Sequence, residues 1–443
     1  MKPRNPKPRL SAYVHLVLDL TGAGKNKRAI RRPLLVDRNS GLLHELPTAY
    51  VYRTLGRRAL NTQISVLYDL AFYLEWVALR ANRLQTRAWA RPEERVRSGK
   101  LALSQREVND LANWCQTKAG DLGEARHRET TGVRVLHTRR ASVEGATTNR
   151  RLHNICNYLC WLTIDMVEGA LMVDDRQIAK SSKFQASLRR AFQDAISGVK
   201  LPPPISALSR PDSIAFRRSV APISAPTSSE HGTRDRLIGR MLLNTGLRSG
   251  ELLKLKCEDL EDNFEITPGK FISILKIIRR PNDVEDDRLF EPSIKTLPGP
   301  IVISRQLASQ LIQYISNERR AAIDRCMDSK ETPYLFVSHF GPQVGRPITY
   351  RNLNRIVSKL RAASAVTAKL SPHTLRHTHF TELRDLMAAK GAAPKEAQRI
   401  LQERGHWSPN SSMPDNYSQR YLVERQAHFV EERDRILEDE QHE

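Results

Sequence analysis

The sequence predicts a mainly α-helical protein of two domains, with a small antiparallel sheet in the C-terminal domain. Apolar residues recur at helical spacing through much of the chain, as at Ile64, Leu67 and Leu70. Three short runs with the composition of β-strands lie between residues 263 and 304. A segment rich in proline and serine, 201–232, interrupts these patterns, and we expect it to join the two domains.

The composition indicates a polyanionic partner. The chain has 443 residues, with 71 Lys and Arg against 49 Asp and Glu, a formal net charge of +22. Nucleic acid is the first candidate partner for such a chain, and an anionic membrane surface is the second. No run of about 18 apolar residues and no apolar leader is present, so we expect no membrane span and a cytoplasmic, nucleoid-associated protein.

The five cysteines are too few and too scattered for a disulfide framework. His153, Cys156 and Cys160 fall on one helical face and have the side chains of metal ligands. No fourth ligand lies nearby, which favours small residues on a buried helix face. We therefore expect neither a metal nor a cofactor.

The first 50 residues are predicted to form a basic arm with a small β element. Residues 1–32 carry nine Lys and Arg against one acid, Asp19. This composition predicts a flexible arm, for which DNA contact and solvated disorder have equal weight. Apolar and polar residues alternate over 12–20, which predicts a strand. Residues 33–47 have the pattern of a hairpin with an Asn-Ser-Gly turn.

Residues 51–200 are predicted to form a helical DNA-binding domain. One helix covers 62–77, a second begins at Ser104 with Glu107 completing a capping box, and a third covers 147–167. Arginines are frequent between these helices, as suits a domain that binds a phosphate backbone, although each could also be a solvated charge. The candidate DNA-contacting residues are Arg80, Arg83, Arg87, Arg139, Arg140, Arg150 and Arg151.

The Pro-rich segment 201–232 is predicted to act as a semi-stiff strap, with the domain boundary near Leu201–Pro204. Such a strap would let two domains close as a clamp around a duplex. The alternative is that its second half packs as the first turns of the following domain.

Residues 233–443 are predicted to form the second domain and its tail. One helix ends at Thr245-Gly246 and another begins at Gly250, so Arg248 lies at the corner between them. Acidic residues 282–287 form an insert between the second and third strands. In the tail, Leu422, Phe429 and Ile436 recur at a spacing of seven, which predicts an apolar stripe that docks on a neighbouring subunit or folds back on its own domain.

A phosphate site is predicted where the next helix begins. Ser371 and Pro372 have the pattern of an N-cap and first turn, which places His373 and Arg376 on one face of that turn. Unpaired N–H groups and the helix dipole favour a bound anion there.

A second cluster follows at Gly405, His406 and Trp407. Tyr417 lies beyond it in a Pro- and Asn-rich segment that does not favour regular helix. We therefore expect the Tyr417 phenol to lie in a mobile loop.

These motifs resemble those of the tyrosine recombinase (phage integrase) family. The family pattern is an arginine in TGLRxGEL, then HxxR, then GHW, then a tyrosine, and here these positions are Arg248, His373 with Arg376, His406, and Tyr417. Each motif alone has little specificity, but their order and spacing are seldom reached by chance.

The resemblance covers residues 244–417 and implies a site-specific DNA recombinase. It implies a covalent 3′-phosphotyrosyl intermediate and a homo-tetramer on paired sites in double-stranded DNA, with a monomer in the absence of DNA. A helical core-binding domain would occupy 62–200. Lys295 stands where the family has its catalytic lysine, and Lys276 is the alternative because the acidic insert lengthens that turn.

The residue types fit phosphoryl transfer. Arg248 and Arg376 can each donate two hydrogen bonds to a phosphodiester and stabilise a trigonal-bipyramidal phosphorane. His373 and His406 add hydrogen bonds to the phosphate oxygens or help to deprotonate the nucleophile. The phenol of Tyr417, with an ordinary pKa near 10, needs this cationic surround to attack at neutral pH.

Three further residues support this chemistry. Trp407 packs beside the site, and Lys295 is the favoured proton donor to the leaving 5′-oxygen. Glu251 supports Arg248 as an ion-pair partner, and a purely structural ion pair with Glu251 or Asp259 is the alternative role of that arginine.

Two alternatives stay open at this level. The interval of eleven residues from His406 to Tyr417 is longer than is usual in the family, and Tyr421 follows closely as an alternative nucleophile. The same residues would also serve a type IB topoisomerase, and an idle relative of the fold would bind DNA without cutting it.

Overall fold

In the computed structural model, the described residues form two compact units, Met1–Pro202 and Pro203–Glu443. The segment predicted to hold the domain boundary, 201–204, lies outside the described residues. The described residues are 10–21, 28–83, 89–117, 143, 145–168, 175–196, 207–221, 230–326, 331–417, 421, 426–427 and 429–433.

The first unit begins with a two-stranded antiparallel ribbon of β1 (Ala12–Thr21) and β2 (Arg28–Asp37). The strand predicted over 12–20 is therefore confirmed, while residues 1–9 and 22–27 of the predicted basic arm lie outside the described residues. The predicted turn at Asn-Ser-Gly is present, and Val36 and Leu43 form an antiparallel bridge across it. Asp37 Oδ1 accepts from the backbone N–H groups of Asn39 and Ser40, which ends β2 in a turn instead of starting a third strand.

Helices make up the rest of the first unit. Three of these helices were predicted from the sequence: one over 62–77, one that begins after Ser104, and one over 147–167. The predicted capping box of Ser104 and Glu107 is present. The helices are α1 (Glu45–Leu55), α2 (Leu60–Arg83), α3 (Pro92–Arg97), α4 (Gln105–Cys115), α5 (Gly145–Glu168) and α6 (Asp175–Ala195). On α5, Cys156 and Cys160 are buried while His153 is exposed.

The second unit is a helical domain with a three-stranded antiparallel sheet in the order β3-β4-β5, and this confirms the predicted fold class. The strands are β3 (Leu260–Thr267), β4 (Lys270–Ile277) and β5 (Gly299–Ile303). The helices are α7 (Arg210–Ser219), α8 (Glu230–Thr245), α9 (Ser249–Lys254), α10 (Arg305–Tyr314), α11 (Arg320–Asp324), α12 (Tyr350–Ala362), α13 (Pro372–Ala389), α14 (Pro394–Gly405) and α15 (Met413–Tyr417).

Part of the Pro-rich segment packs into the second unit. Ser209 caps α7, and Phe216 is buried in the same core as Leu242. No described helix is long and apolar enough to cross a bilayer.

The acidic insert between β4 and β5 is packed against the end of α9. Asp286 is buried and forms two ion pairs. Its Oδ2 lies 2.9 Å from Lys254 Nζ, and its Oδ1 lies 2.8 Å from Arg288 Nε. Asp283 lies 3.2 Å from Lys256 Nζ and accepts a hydrogen bond from the Tyr334 hydroxyl. Because these charges are paired, the insert is fixed to the body of the domain.

Candidate active site

Arg248 lies at the corner between α8 and α9. Gly246 turns the chain there at φ +66°, and a Cβ at this glycine would meet the His379 ring at 2.5 Å, so the turn requires glycine. The backbone N–H of Arg248 donates to Glu251 Oε2 at 2.8 Å, which caps α9. The guanidinium is thereby held on a rigid corner and stays partly exposed.

Arg376 lies one turn into α13, which Ser371 caps by accepting from the Thr374 N–H at 3.1 Å. Its guanidinium is 2% exposed and donates to the carbonyl oxygens of Gly246 and Gly405. Burial lowers its pKa to about 10, so the group remains charged at neutral pH. The predicted first-turn position is confirmed, but the side chain is more enclosed than an exposed anion cradle would be.

The carboxylate of Glu251 joins the two arginines. It is buried, with Oε1 3.5 Å from Arg248 Nη1 and Oε2 3.7 Å from Arg376 Nη1. The ion pair considered for Arg248 is therefore present, and it is part of the site. One carboxylate between two guanidinium groups leaves a net positive charge for an anionic guest.

Tyr417 ends α15, and its ring is 6% exposed. The prediction of a mobile loop is wrong, because the ring packs into an aromatic cluster. Ring centroids lie 4.4 Å away at His377, 5.2 Å at Trp407 and 5.8 Å at Phe380. Burial of this aromatic face stabilises a helical turn that the local sequence does not favour.

The same phenol lies beside the arginines. The guanidinium carbon of Arg376 is 4.9 Å from the Tyr417 ring centroid, and that of Arg248 is 5.9 Å from it. The exposed ring of His373 meets the Tyr417 ring edge-on at 5.3 Å. Tyr421 lies near Arg384, whose guanidinium carbon is 5.2 Å from its ring.

His406 caps the C-terminus of α14 in a left-handed conformation, at φ 51° and ψ 44°. Non-glycine residues adopt this region rarely, and here it turns the imidazole toward the start of β5. His406 Nε2 lies 3.3 Å from the carbonyl oxygen of Pro300. Trp407 follows and packs on Phe380, with centroids 4.7 Å apart.

Four histidines of this region favour the neutral form. Burial lowers the pKa of His377 to about 4 and that of His379 to about 3. Burial is also the main cause of the lowered pKa values of His373 and His406, with the nearby arginines adding to it. Sequence analysis missed His377, although its spacing of four from His373 puts both on one face of α13.

Lys295 and Lys276 are both exposed at the edge of this region. Two residues after Lys295, the Leu297 N–H donates to the carbonyl oxygen of His406 at 3.1 Å. Lys276 is paired with Pro300 across the β4–β5 ladder, and its ammonium forms an ion pair with Glu261. Lys295 therefore lies on a segment that contacts His406, and Lys276 lies on β4, next to the strand whose Pro300 carbonyl contacts it.

The candidate arginines of the first unit have internal partners where they are described. Arg80 pairs with Asp110 and lies over Trp76. Arg150 lies 3.1 Å from Asp69. The side chain of Arg83, together with Arg87, Arg139 and Arg140, falls outside the described residues.

Arg151 has a structural role. It is buried, donates to the carbonyl oxygens of Cys115 and Thr117, and lies over the Phe72 ring at 3.6 Å. These contacts account for its burial, and the contact with DNA that the sequence predicts for Arg151 stays a prediction.

The second unit thus combines two arginines, their shared carboxylate, neutral histidines and a buried phenol. The family model described as the phage integrase family matches residues 299–420, which include His373, Arg376, His406 and Tyr417. The chain is 26% identical over 157 residues to transposase A from transposon Tn554 of Staphylococcus aureus, covering 34% of this chain and 37% of that protein.

A second relative is tyrosine recombinase XerC of Listeria monocytogenes serotype 4b, 26% identical over 179 residues, which cover 40% of this chain and 48% of the relative. The chain thus spans less than half the length of these curated relatives. A solved structure of the Tn1549 transposon integrase in complex with circular intermediate DNA aligns with a TM-score of 0.46 and 18% identity, over 85% of this chain and 97% of that one. Residues 299–420 of this chain, which carry the HxxR and GHW motifs and Tyr417, thus match the phage integrase family.

Proposed function

We propose that this protein is a site-specific DNA recombinase that cuts and rejoins DNA through a covalent 3′-phosphotyrosyl intermediate. The observation that carries this proposal is the Tyr417 phenol, packed beside the guanidinium groups of Arg376 and Arg248. A phenol in that position has an anion site beside it, where two guanidinium groups can hold the phosphate that it attacks.

The reaction is an in-line exchange at phosphorus. The scissile phosphate lies between Arg248 and Arg376, which neutralise the charge that builds on its non-bridging oxygens. The Tyr417 oxygen forms a bond to phosphorus while the bond to the 5′-oxygen breaks. Lys295 protonates that oxygen, with Lys276 as the alternative donor.

His373 and His406 complete the oxygen cage around the phosphate. Their lowered pKa values favour neutral imidazoles at physiological pH, so either can accept the phenolic proton as well as donate a hydrogen bond. The reverse reaction uses the same groups, with the 5′-hydroxyl of a second strand as nucleophile. No cofactor enters these steps.

The partner is double-stranded DNA, for which the net charge of +22 supplies sequence-independent affinity. The first unit serves as the core-binding domain, and the part of the Pro-rich segment before Ser209, where α7 is capped, connects the domains. A homo-tetramer assembles on paired sites through the C-terminal tail, where Phe429 and Val430 are 56% and 44% exposed. The tail residues Leu422 and Ile436 lie outside the described residues.

A nicked suicide duplex tests the proposal, because loss of the short cleaved strand traps the protein–DNA bond. The duplex carries the site that footprinting defines in DNA flanking the encoding gene. Tyr417→Phe should keep DNA affinity and abolish the adduct, whereas Tyr421→Phe should keep both. An adduct that survives Tyr417→Phe and disappears with Tyr421→Phe would reassign the nucleophile.

The same assay separates the alternative functions. No adduct from the wild-type chain on a bound site would leave a DNA-binding regulator without catalysis. Relaxation of supercoils without exchange between two sites would favour a type IB topoisomerase.

A further inference from the structure

The segment between β4 and β5, residues 278–298, carries Lys295. The residues that directly follow this lysine form hydrogen bonds to residues of the candidate active site. Thr296 is buried, and its hydroxyl donates to Glu251 Oε1 at 2.5 Å. This is the carboxylate that lies between Arg248 and Arg376. The residue next to Lys295 is therefore hydrogen-bonded to the group that orders both arginines.

Two further contacts fix the same stretch of backbone. The Leu297 N–H donates to the carbonyl oxygen of His406 at 3.1 Å. Arg279, at the start of the segment, donates from Nε to the carbonyl oxygen of Thr296 at 2.6 Å. The residues on this side of Lys295 thus have partners on α9, at the end of α14 and within their own segment.

The N-terminal half of the segment is anchored separately. Asp286 and Arg288 are buried in the charge network with Lys254, and the carbonyl of Ser293 lies so close to Gly250 that a Cβ there would meet it at 2.2 Å. These anchors hold the segment as a whole. The Thr296 hydroxyl is the described side-chain contact that joins its lysine-bearing end to Glu251.

Lys276 is placed in a different way. It belongs to the β4 ladder, and its ammonium pairs with Glu261 on β3. Its backbone is held by the sheet and needs no such hydrogen bond. The Thr296 contact therefore concerns Lys295 alone.

We propose that Thr296 is a positioning residue that presents the Lys295 ammonium to the leaving 5′-oxygen through its hydrogen bond to Glu251. This inference rests on the proposed function. In the step concerned, the Lys295 N–H proton moves to the 5′-oxygen as the bond from that oxygen to phosphorus breaks and the Tyr417 oxygen bonds to phosphorus. A shift of the backbone by about 1 Å would cost on the order of 10²-fold in rate.

The test compares two versions of the suicide duplex, one with the natural 5′-oxygen at the scissile bond and one with sulfur in its place. A thiolate leaves without protonation, so the sulfur duplex does not need the proton donor. Thr296→Val removes the hydroxyl at nearly constant volume, and Thr296→Ala removes it without the risk of overpacking. Thr296→Ser retains the hydroxyl, Lys295→Ala is the reference, and Thr267→Val is a matched control at an exposed threonine of β3.

On the oxygen duplex, we expect Thr296→Val and Thr296→Ala to slow adduct formation by about 10²-fold, and Thr296→Ser to stay within about threefold of wild type. On the sulfur duplex, both slow variants should recover to within about threefold of wild type, as Lys295→Ala does. Equal losses on the two duplexes would overturn the inference, because the hydroxyl would then act through the arginines or the fold. A wild-type rate for both variants on the oxygen duplex would also overturn it.

A failure of the proposed function has a different signature. A wild-type chain that forms no adduct with either duplex would overturn the recombinase proposal and this inference together. A wild-type chain that cleaves, with variants that do not follow the expected pattern, would overturn the role of Thr296 alone.

Discussion

The ring of His377 is stacked on the ring of Tyr417, with centroids 4.4 Å apart and planes inclined by 29°. Burial lowers the pKa of His377 to about 4, so a neutral imidazole supports one face of the phenol at physiological pH. The proposed nucleophile is therefore held by packing against a neighbouring ring. Its position depends on packing as well as on charge.

Replacement of His377 should show how much that packing contributes. His377→Ala removes the ring beneath Tyr417, and we expect adduct formation to slow by about tenfold or more, because the phenol loses orientation. His377→Phe retains a flat ring and should stay within about threefold of wild type. The measurement is single-turnover adduct formation, and equal losses in both variants would assign His377 a proton-transfer role instead.

The two arginines should differ in their effect on stability. Arg248→Ala and Arg376→Ala should each slow adduct formation by on the order of 10² or more, since each loses a hydrogen-bond donor to the phosphate. Arg376→Ala should also lower the melting temperature, because it leaves a buried cavity and unpaired carbonyl groups at Gly246 and Gly405. Thermal melts of the two variants compare the effects directly, and equal melting temperatures would contradict the structural role of Arg376.

Acid should destabilise the second unit partly through His379. Its Nδ1–H donates to the carbonyl oxygen of Leu243 at 2.9 Å, and Nε2 lies 3.4 Å from Arg404 Nε, which favours the neutral ring. Its pKa is about 3 in the folded state against 6.5 for the free group, so the unfolded chain binds the proton first as the pH falls. The stabilisation from the neutral ring is complete above pH 6.5 and is lost progressively from there toward pH 3.

His379→Gln should therefore flatten the fall of melting temperature between pH 6.5 and 4. The exposed His153→Gln is the matched control and should leave the wild-type slope unchanged. Parallel slopes for wild type and His379→Gln would contradict the prediction.

Duplex binding should depend steeply on salt. Each phosphate neutralised by the chain releases condensed counterions, so affinity should fall by orders of magnitude between about 50 and 200 mM salt. Fluorescence anisotropy on a labelled duplex measures this slope. A flat titration would remove DNA as the main partner.

Truncation after Glu424 should impair assembly on paired sites while binding to a single site persists. The truncation removes Phe429 and Val430, which are exposed, and the last thirteen residues, which hold seven acids and two arginines. Analytical ultracentrifugation of the DNA complexes measures the assembly. Unchanged tetramer formation would mean that the tail folds back on its own domain.

The sequence predicted correctly those features that depend on neighbouring residues alone. The N-cap at Ser371, the capping box of Ser104 with Glu107, and the three strands follow from turn and cap chemistry or from periodicity, and all are present. The motif order also identified Arg376 and Trp407 beside Tyr417, but not His377, whose ring lies closest to it.

The errors concern features that distant contacts decide. Met413–Tyr417 has weak helix preference, yet a helix forms because the Tyr417 ring is buried against Trp407 and His377. Arg151 was expected to be a surface cation because arginines are frequent in this part of the chain, but Phe72 and the carbonyl of Cys115 enclose it. Phe72 and Cys115 lie far from Arg151 in the sequence, so the local pattern of residues could not identify them as its partners.

The buried network of Lys254, Asp286 and Arg288 limits how this protein can be re-engineered. Removing one member of a buried ion pair leaves an uncompensated charge, a loss of about 3–5 kcal/mol, while replacing all members together can be neutral. A β4–β5 connection shortened by removal of 282–291 would lack Asp286, Arg288 and Glu291, and Lys254 would lose both of its carboxylate partners. Chimeras at this connection should therefore exchange Lys254 in the same step, because the lysine and the insert form one transferable module.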